Sequence, residues 1–459
     1  MRHTDPEIIS QYLSDESGLT GSAKAIVRVR DRIDVIDLVK ESCLSGERLL
    51  PVGCQTATTG AAVPQEDTVV DLRGFSGIES IDTERHLAEV LPGTITWDLK
   101  QAVAEAGLYY PPDPTSEKES TIGGNIASNA SGARSFKWGM TAHWIEAVEV
   151  VTGTGDIHLF QRRKIDKNTA GYRTFLDPVD LFCGAEGTLG IITRAWCRLL
   201  PDPGPVVSLI LYLRSLEGAL KLAVAFREKT APTPTPRCVE MFDRTALQIL
   251  ATHEQAPVIP ETAKAALYLE FDTNLDSIDK VLERTAVRLA LFGALVDDTV
   301  IAQTASEREW IRTLRHFIPE TCNLEARSFH ADGGLKVSTE FCVPVHHLPA
   351  MMEFVDETAD DAGIDRLVRY GHVGNGHPHI FMRGRNPDEV NACKELAHIW
   401  YKKAVSLGGT VSGEHGIGKT RRDILKHMYP PDYIAAMRAV KYTFDPHNIL
   451  AMGNIFPGD

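Results

Sequence analysis

Short apolar, β-rich runs recur along the chain, and what separates them changes near Pro201. Before that point Ala25–Val29, Leu49–Val52, Thr68–Leu72, His86–Val90, Ala147–Val151 and Asp156–Phe160 read as strands. Helical spacing appears from Ile8, over Ile33–Ser42, and from Pro92–Trp97 through Ala106, where Gly107 supplies a stop. Between Tyr110 and Gly139 the periodicity gives way to a loop-rich stretch of small residues. Leu199-Leu-Pro-Asp-Pro-Gly-Pro205 breaks helix and strand alike and marks a domain boundary. Beyond it strands alternate with helices: Val206–Tyr212 with Leu216–Phe226, Ala265–Phe271 with Ile278–Phe292, and Phe341–Val345 with Leu348–Ala362. Such pairs predict an α+β layer, helices on one face of a mainly antiparallel sheet. Thr420–His427 reads as a helix, and Met437–Ile455 returns to loops and short helix. The expected domains are 1–204, 205–410 and a closing segment 411–459.

Composition narrows the class. With 459 residues, 43% hydrophobic and 24% charged, the chain reads as a globular protein of two or three domains. A net charge of −14 argues against nucleic acid and anionic lipid as partners. The first residues do not resemble a signal peptide, and no uncharged apolar run approaches the roughly 20 residues that span a bilayer. The expectation is a soluble, cytoplasmic protein, with peripheral docking at a membrane left open. The eight cysteines form no C-x-x-C pair, which argues against zinc ribbons and iron–sulfur clusters.

Three loops before Pro201 are rich in small residues and nearly free of charge: Pro51-Val-Gly-Cys-Gln-Thr-Ala-Thr-Thr-Gly60, Ile122–Gly132 and Gly184-Ala-Glu-Gly-Thr-Leu-Gly-Ile-Ile192. Small residues let backbone approach a ligand, and free N–H groups can line an anion. None matches G-x-G-x-x-G, so a Rossmann fold is not supported. Gly371-His-Val-Gly-Asn-Gly-His-Pro-His-Ile380 concentrates imidazole around a turn sequence, Gly374-Asn-Gly376, so a hairpin can bring His372 and His379 together. His372, His377 and His379 with Glu414 and His415 could supply a divalent-metal site, and imidazole plus carboxylate suits zinc or manganese. Gly413–Thr420 also fits G-x-x-x-x-G-K-[ST], the phosphate loop of nucleotide hydrolases. Against that distant alternative, Ser406–Ser412 makes a poor buried strand, and Glu414 would put a carboxylate inside the triphosphate cradle.

Taken together, these segments resemble the FAD-linked 2-hydroxy-acid dehydrogenase and oxidase family of the vanillyl-alcohol-oxidase (PCMH-type FAD-binding) superfamily. The match runs from about residue 25 to Phe444–Phe456 and looks nearest the D-lactate dehydrogenase and glycolate oxidase subunit branch. The resemblance implies a two-subdomain FAD-binding domain, an α+β cap with an antiparallel sheet, and a C-terminal segment that returns to the FAD domain. It implies cofactor contacts at Val52, Gly53, Cys54, Gln55, Thr56, Thr59, Gly60, Pro114, Thr121, Gly124, Asn125, Ser128, Asn129, Gly132, Glu186, Gly187, Ile192 and Asn448. The family's first loop usually reads Arg-Gly-Gly-Gly-Thr-Gly, and here only Gly53 clearly holds. Gln55 occupies the place of a flavin-linked His in some relatives, which implies non-covalent FAD.

The same resemblance implies metal ligands at His372, His379 and Glu414, a proton-abstracting His415, and a carboxylate-binding Arg315. Asn375 and His377 replace an Asp and an Asn of the family pattern, and His377 is an additional ligand or a substrate contact. Val337–Pro344 looks most like the D-lactate branch. Ser338 stands where the hydroxyglutarate branch has a Lys, which favours a monocarboxylate, while Lys336 nearby keeps that question open. The implied activity is oxidation of a D-lactate-like 2-hydroxy acid to the 2-oxo acid. The acceptor would be a quinone, cytochrome or electron-transfer flavoprotein, and a homodimer is compatible. A glycolate-oxidase-like subunit, a D-2-hydroxyglutarate dehydrogenase and the family's alkyl-transfer type are the alternatives.

Overall fold

Residues 1–163, 165–172, 175, 177–273, 275–364 and 366–456 are described by a computed structural model. The chain divides into two compact units: Met1–Gly132, Trp138–Pro203 and Glu414–Asp459 form the first, and Ala133–Lys137 with Gly204–Gly413 the second.

The first unit holds two sheets. A four-stranded sheet orders Arg2–His3, Ser22–Arg28, Gln65–Asp71 and Leu49–Val52, with its last three strands parallel. Helix Arg32–Ser45 packs Val35, Leu38 and Val39 onto it. Asp31 caps the start of that helix and Gly46, at φ +71°, ends it. A five-stranded antiparallel sheet orders Ile78–Asp82, Leu87–Val90, Ile191–Arg198, Ile145–Val151 and Ile157–Gln161. Helix Thr96–Glu105 buries Leu99 and Val103 in the core of that sheet. The chain's closing segment returns to the first sheet: Leu49 N donates to Ile449 O at 2.7 Å, and Ala451 N donates to Leu49 O at 2.8 Å. Asp445 anchors the return, accepting from the backbone of Ile449 and Leu450 and pairing with buried Lys441.

The second unit is built on a seven-stranded antiparallel sheet. Its order is Val300–Ala302, Val206–Leu213, Ala265–Asp272, Cys238–Asp243, Leu367–Gly371, His379–Gly384 and Leu335–Thr339. Cross-strand partners share a face, so the register puts Tyr268, Glu240, Phe242, Tyr370, His379 and Phe381 on one side. Helix Ala305–Arg327 covers that side with Ile311, Leu314, Ile318 and Cys322. Helix Pro387–Ser406 lies against the other, where a Cβ on Gly384 would meet Val390 within 2.6 Å.

Two expectations need correcting. Helices occupy both faces of the antiparallel sheet, not one. The helix Ala305–Arg327 contains Pro319 and many charges, and so lacks an apolar run that announces a helix. The strand expected at Phe341–Val345 lies instead at Leu335–Thr339; downstream of it Cys342 makes only an isolated bridge to Thr410, and Pro344 has no N–H to donate. Among the described residues, no helix is long and apolar enough to cross a membrane.

Buried ion pairs lock this sheet. Arg134 grips Glu270 with two hydrogen bonds of 2.9 and 3.3 Å, and the Tyr268 hydroxyl donates to the same carboxylate at 2.6 Å. Burial pushes Glu270 up, but Arg134 and these hydrogen bonds outweigh it and hold the carboxyl at about 2, below its ordinary 4.5. A depressed carboxyl adds stability above its unfolded pKa and loses it as pH falls through the folded one. Arg134→Met should therefore cost about 3 kcal/mol at pH 7. The gap from the parent should narrow as pH falls from 5 toward 2. Urea midpoints against pH read this directly, and a pH-independent gap would contradict it.

Candidate functional site

The three small-residue loops meet one another in the first unit. A Cβ on Gly53 would lie 2.4 Å from Thr121 Oγ1, so the first loop and the second can approach this closely only with glycine. The second is not all loop. Thr121 caps a helix, Ile122–Ser128, by accepting from Gly124 N at 3.2 Å, and Asn129 ends it at φ +48°. The two adjacent glycines at its start hid this helix from the periodicity. Asn125 donates to Thr96 Oγ1 and Ser128 to Gly124 O, while Asn129 Oδ1 accepts from Ala142 N. The third loop joins the second through Gly184 N to Ile126 O and Glu186 N to Ala127 O, 2.9 and 2.8 Å. Gly187 takes φ +76°, and Ile192 is buried in strand Ile191–Arg198.

Val52 closes the strand before the first loop; Cys54 and Thr56 follow it half-buried. Gln55 takes φ +58° and donates through Nε2 to Ser14 O at 2.6 Å. Pro114 O accepts from Glu117 N, and Gly132 lies against Asp113 O. Asn448, at φ +51°, keeps Oδ1 buried with no hydrogen-bond partner among the described residues, and so does Thr58 Oγ1. Orphaned buried acceptors and uncharged, glycine-lined backbone are the features a bound dinucleotide would complete.

The glycine segment Gly409–Arg421 does cradle an anion, but one of its own chain. Glu186 accepts from Ile417 N at 2.7 Å and from Gly418 N at 3.0 and 2.8 Å. Thr59 O accepts from Lys419 N and Thr420 N, and Gly60 O and Asn454 Oδ1 accept from Lys419 Nζ. Burial pulls Lys419 down to about 8. With a carboxylate filling the backbone cradle and no strand leading into it, the nucleotide-hydrolase geometry is absent here. Glu414 and His415 open this return segment, with His415 Nε2 3.4 Å from Glu414 Oε1.

The second unit carries the histidines. Strands Leu367–Gly371 and His379–Gly384 form the hairpin that Gly374-Asn-Gly376 predicts, joined through a short turn over Val373–Asn375. Arg227 clamps the turn, donating to Gly374 O at 3.0 Å and to Asn375 Oδ1. His372, His377 and His379 are all buried, with ring centroids 4.9 to 5.6 Å apart. Ligand atoms of His377, His379 and Glu340 lie within 4.8 Å of one another. His377 Nε2 is buried, makes no hydrogen bond among the described residues, and stands 3.5 Å from Glu340 Oε2. Two imidazoles and a carboxylate with an orphaned ring nitrogen suit a divalent ion.

His372 is oriented from behind. Glu240, fully buried, lies 2.6 Å from His372 Nδ1 and accepts from Arg315 Nε at 2.8 Å. Burial raises this carboxyl, but Arg315 and His372 outweigh it and hold it at about 2. A carboxylate behind an imidazole fixes its tautomer and ring orientation, as in many metal centres. Arg315 thus sits on the long helix with Nε committed to Glu240. Sequence reading missed both carboxylates. Glu240 had a signal, an acid inside the apolar strand Cys238–Asp243. Glu340 was obscured by the misplaced strand.

Residues 203–455 match the family described as FAD linked oxidases, C-terminal domain, and residues 23–160 match an FAD binding domain. The chain is 32% identical to the glycolate oxidase subunit GlcD of Bacillus subtilis, covering 90% of this chain and 84% of that protein. It is 30% identical to a D-2-hydroxyglutarate dehydrogenase of Stutzerimonas stutzeri, covering 99% and 95%. It is 29% identical to a D-lactate dehydrogenase of Anaerostipes hadrus, covering 98% and 93%. The fold is similar to a solved 4-ethylphenol oxidase from Gulosibacter chungangensis, with TM-score 0.71, 15% identity, and coverage of 99% and 94%.

Gly413 is the pressure point of the hairpin. A Cβ there would fall 2.6 Å from the His377 ring, too close for any real contact. If a divalent ion is held at the hairpin, Gly413→Ala should lower its retention at least about tenfold, as loss of ligand orientation does, and leave the flavin content intact. Metal analysis after gel filtration checks it; an unchanged metal content would rule out His377 as part of a metal centre.

Proposed function

The chain belongs to the FAD-linked oxidase family, and from that premise we propose that it oxidises a D-2-hydroxy acid to the 2-oxo acid. FAD is bound non-covalently and a divalent ion, zinc or manganese, is held at the histidine hairpin. The observation that carries this reading is the buried donor set of His377, His379 and Glu340, with His372 braced by Glu240. The three sequence relatives, named for glycolate, D-2-hydroxyglutarate and D-lactate, share one substrate chemistry, a hydroxyl beside a carboxylate. Gln55 supports the non-covalent assignment, since an amide cannot form the flavin link of an imidazole.

His372 and His379 serve as metal ligands with Glu414, and His377 and Glu340 enlarge the set. Glu414 directly follows Gly413 in the chain. When bound, the flavin accepts the hydride and the metal polarises the substrate hydroxyl. His415, beside Glu414, takes the hydroxyl proton; a neutral imidazole suits that task near pH 7. Arg315 binds the substrate carboxylate through its terminal nitrogens while Glu240 fixes Nε, which sets the plane of the guanidinium. A quinone, cytochrome or electron-transfer flavoprotein would serve as the electron acceptor.

Anaerobic mixing with D-lactate, glycolate and D-2-hydroxyglutarate should bleach the yellow flavin band with at least one of them. If no 2-hydroxy acid bleaches it, the reading fails. Glu414→Gln should lose metal and keep FAD. His415→Ala should keep both and slow flavin reduction by at least about 100-fold; undiminished reduction would remove His415 from the base role.

A further inference from the structure

The first small-residue loop is polarised along its backbone. None of the N–H groups from Gly53 to Ala61 donates a hydrogen bond among the described residues. Its carbonyls are taken instead. Ala57 O accepts from Glu16 N, Thr59 O from Lys419 N and Thr420 N, and Ala61 O from Asn454 Nδ2. Such a loop offers amides to an anion, and Pro51 to Pro64 contains no charged residue to help them.

A cation stands behind this loop. Lys419 Nζ donates to Gly60 O at 3.2 Å and to Asn454 Oδ1 at 2.6 Å, and both acceptors are neutral. Among the described residues of the first unit, two lysines are buried, Lys419 and Lys441, and Lys441 is paired with Asp445. No described carboxylate forms an ion pair with Lys419. The charges that reach it from farther away are Asp67, Glu186 and Asp15, with Arg422 opposing them; burial outweighs the carboxylates. A buried cation without an ion pair carries a desolvation cost that an anion offsets. An ammonium on Gly60 O also polarises that peptide and makes its Ala61 N–H a stronger donor.

We propose that Lys419 is a positioning residue for the cofactor: its ammonium, acting through the Gly60 carbonyl, strengthens the first loop's hold on the FAD pyrophosphate. This rests on the FAD binding domain and not on the choice of substrate. It also gives FAD affinity a pH dependence. Without the cofactor, Lys419 loses its proton as pH rises through about 8, and a bound pyrophosphate moves that point upward. Affinity is therefore full below that pH and falls above it, with proton uptake on binding.

The test uses the full-length holoenzyme. FAD released on serial dilution is read from its fluorescence, which gives a dissociation constant at each pH. From pH 7 to 9 that constant should rise about fivefold, as follows from a coupling of about tenfold between one ammonium and the pyrophosphate. Lys419→Gln keeps a donor for Gly60 O and removes the charge. At pH 7 it should hold FAD about tenfold more weakly, and the rise toward pH 9 should vanish. Lys419→Arg should keep the affinity and also lose the rise. At pH 7 ADP should displace FAD better than adenosine does, and Lys419→Gln should shrink that advantage. A dissociation constant that is flat from pH 7 to 9 in the parent protein overturns the proposal without recourse to any variant. So does a rise that survives Lys419→Gln. Equal weakening of ADP and adenosine would also overturn it, since a merely structural tie between the loop and the return segment behaves that way. Protein that binds no FAD at any pH would remove the cofactor reading and this proposal together.

Discussion

One buried carboxylate organises the first unit. Glu186 lies at a positive φ in the third loop, and its side chain is taken up by consecutive backbone N–H groups of the return segment. Its carbonyl accepts from Asn454 Nδ2, which also donates to Ala61 O in the first loop. Three separated stretches of sequence are thereby held to one charge. The cost of burying Glu186, which pushes its pKa up, is met by those amides and by Lys419. Because the return segment begins with Glu414 and His415, the same anchor fixes where the chain carrying the proposed ligand and base enters this unit.

The second unit uses the same device with different partners. Glu240 on a central strand faces a cation from the long helix and an imidazole from the hairpin. Neither Arg315 nor His372 can relax without exposing a fully buried charge to an unpaired state, which is costly. A rigid constellation results without a covalent cross-link; all eight cysteines are free thiols.

Legibility of the sequence followed the range of the interactions involved. The hairpin was readable because Gly374-Asn-Gly376 fixes its turn locally, and the first two strand–helix pairs after Pro205 were readable because their periodicity is local too. The three small-residue loops were legible from composition, and the family resemblance supplied what local pattern could not, the FAD-type fold that joins them. The long helix escaped notice because its buried positions are spread among charges and interrupted by Pro319. Helix Ile122–Ser128 escaped because glycines disfavour helices in isolation and are accepted here for close approach to Pro92. Glu340 and Glu240 acquire their roles only from residues distant in sequence: Glu240 pairs with Arg315, 75 positions away, and with His372, 132 positions away. Similarly, Gly413–Thr420 matched a phosphate loop because its amides are arranged to receive an anion; the sequence did not reveal that Glu186 is that anion.

The pairing of Leu49 with Ile449–Ala451 has a consequence for how the molecule is made. The first unit opens the chain and also closes it, with the second unit inserted between. A ribosome therefore releases every residue of the second unit before the first can complete its sheet or seat Glu186. The earlier-made part must wait, its inner surfaces uncovered, for the last part to emerge, and such long-range closure is slow. Completion of the first unit thus waits for the last residues to be made, and until they arrive its unpaired strand edge at Leu49 is open to misassembly.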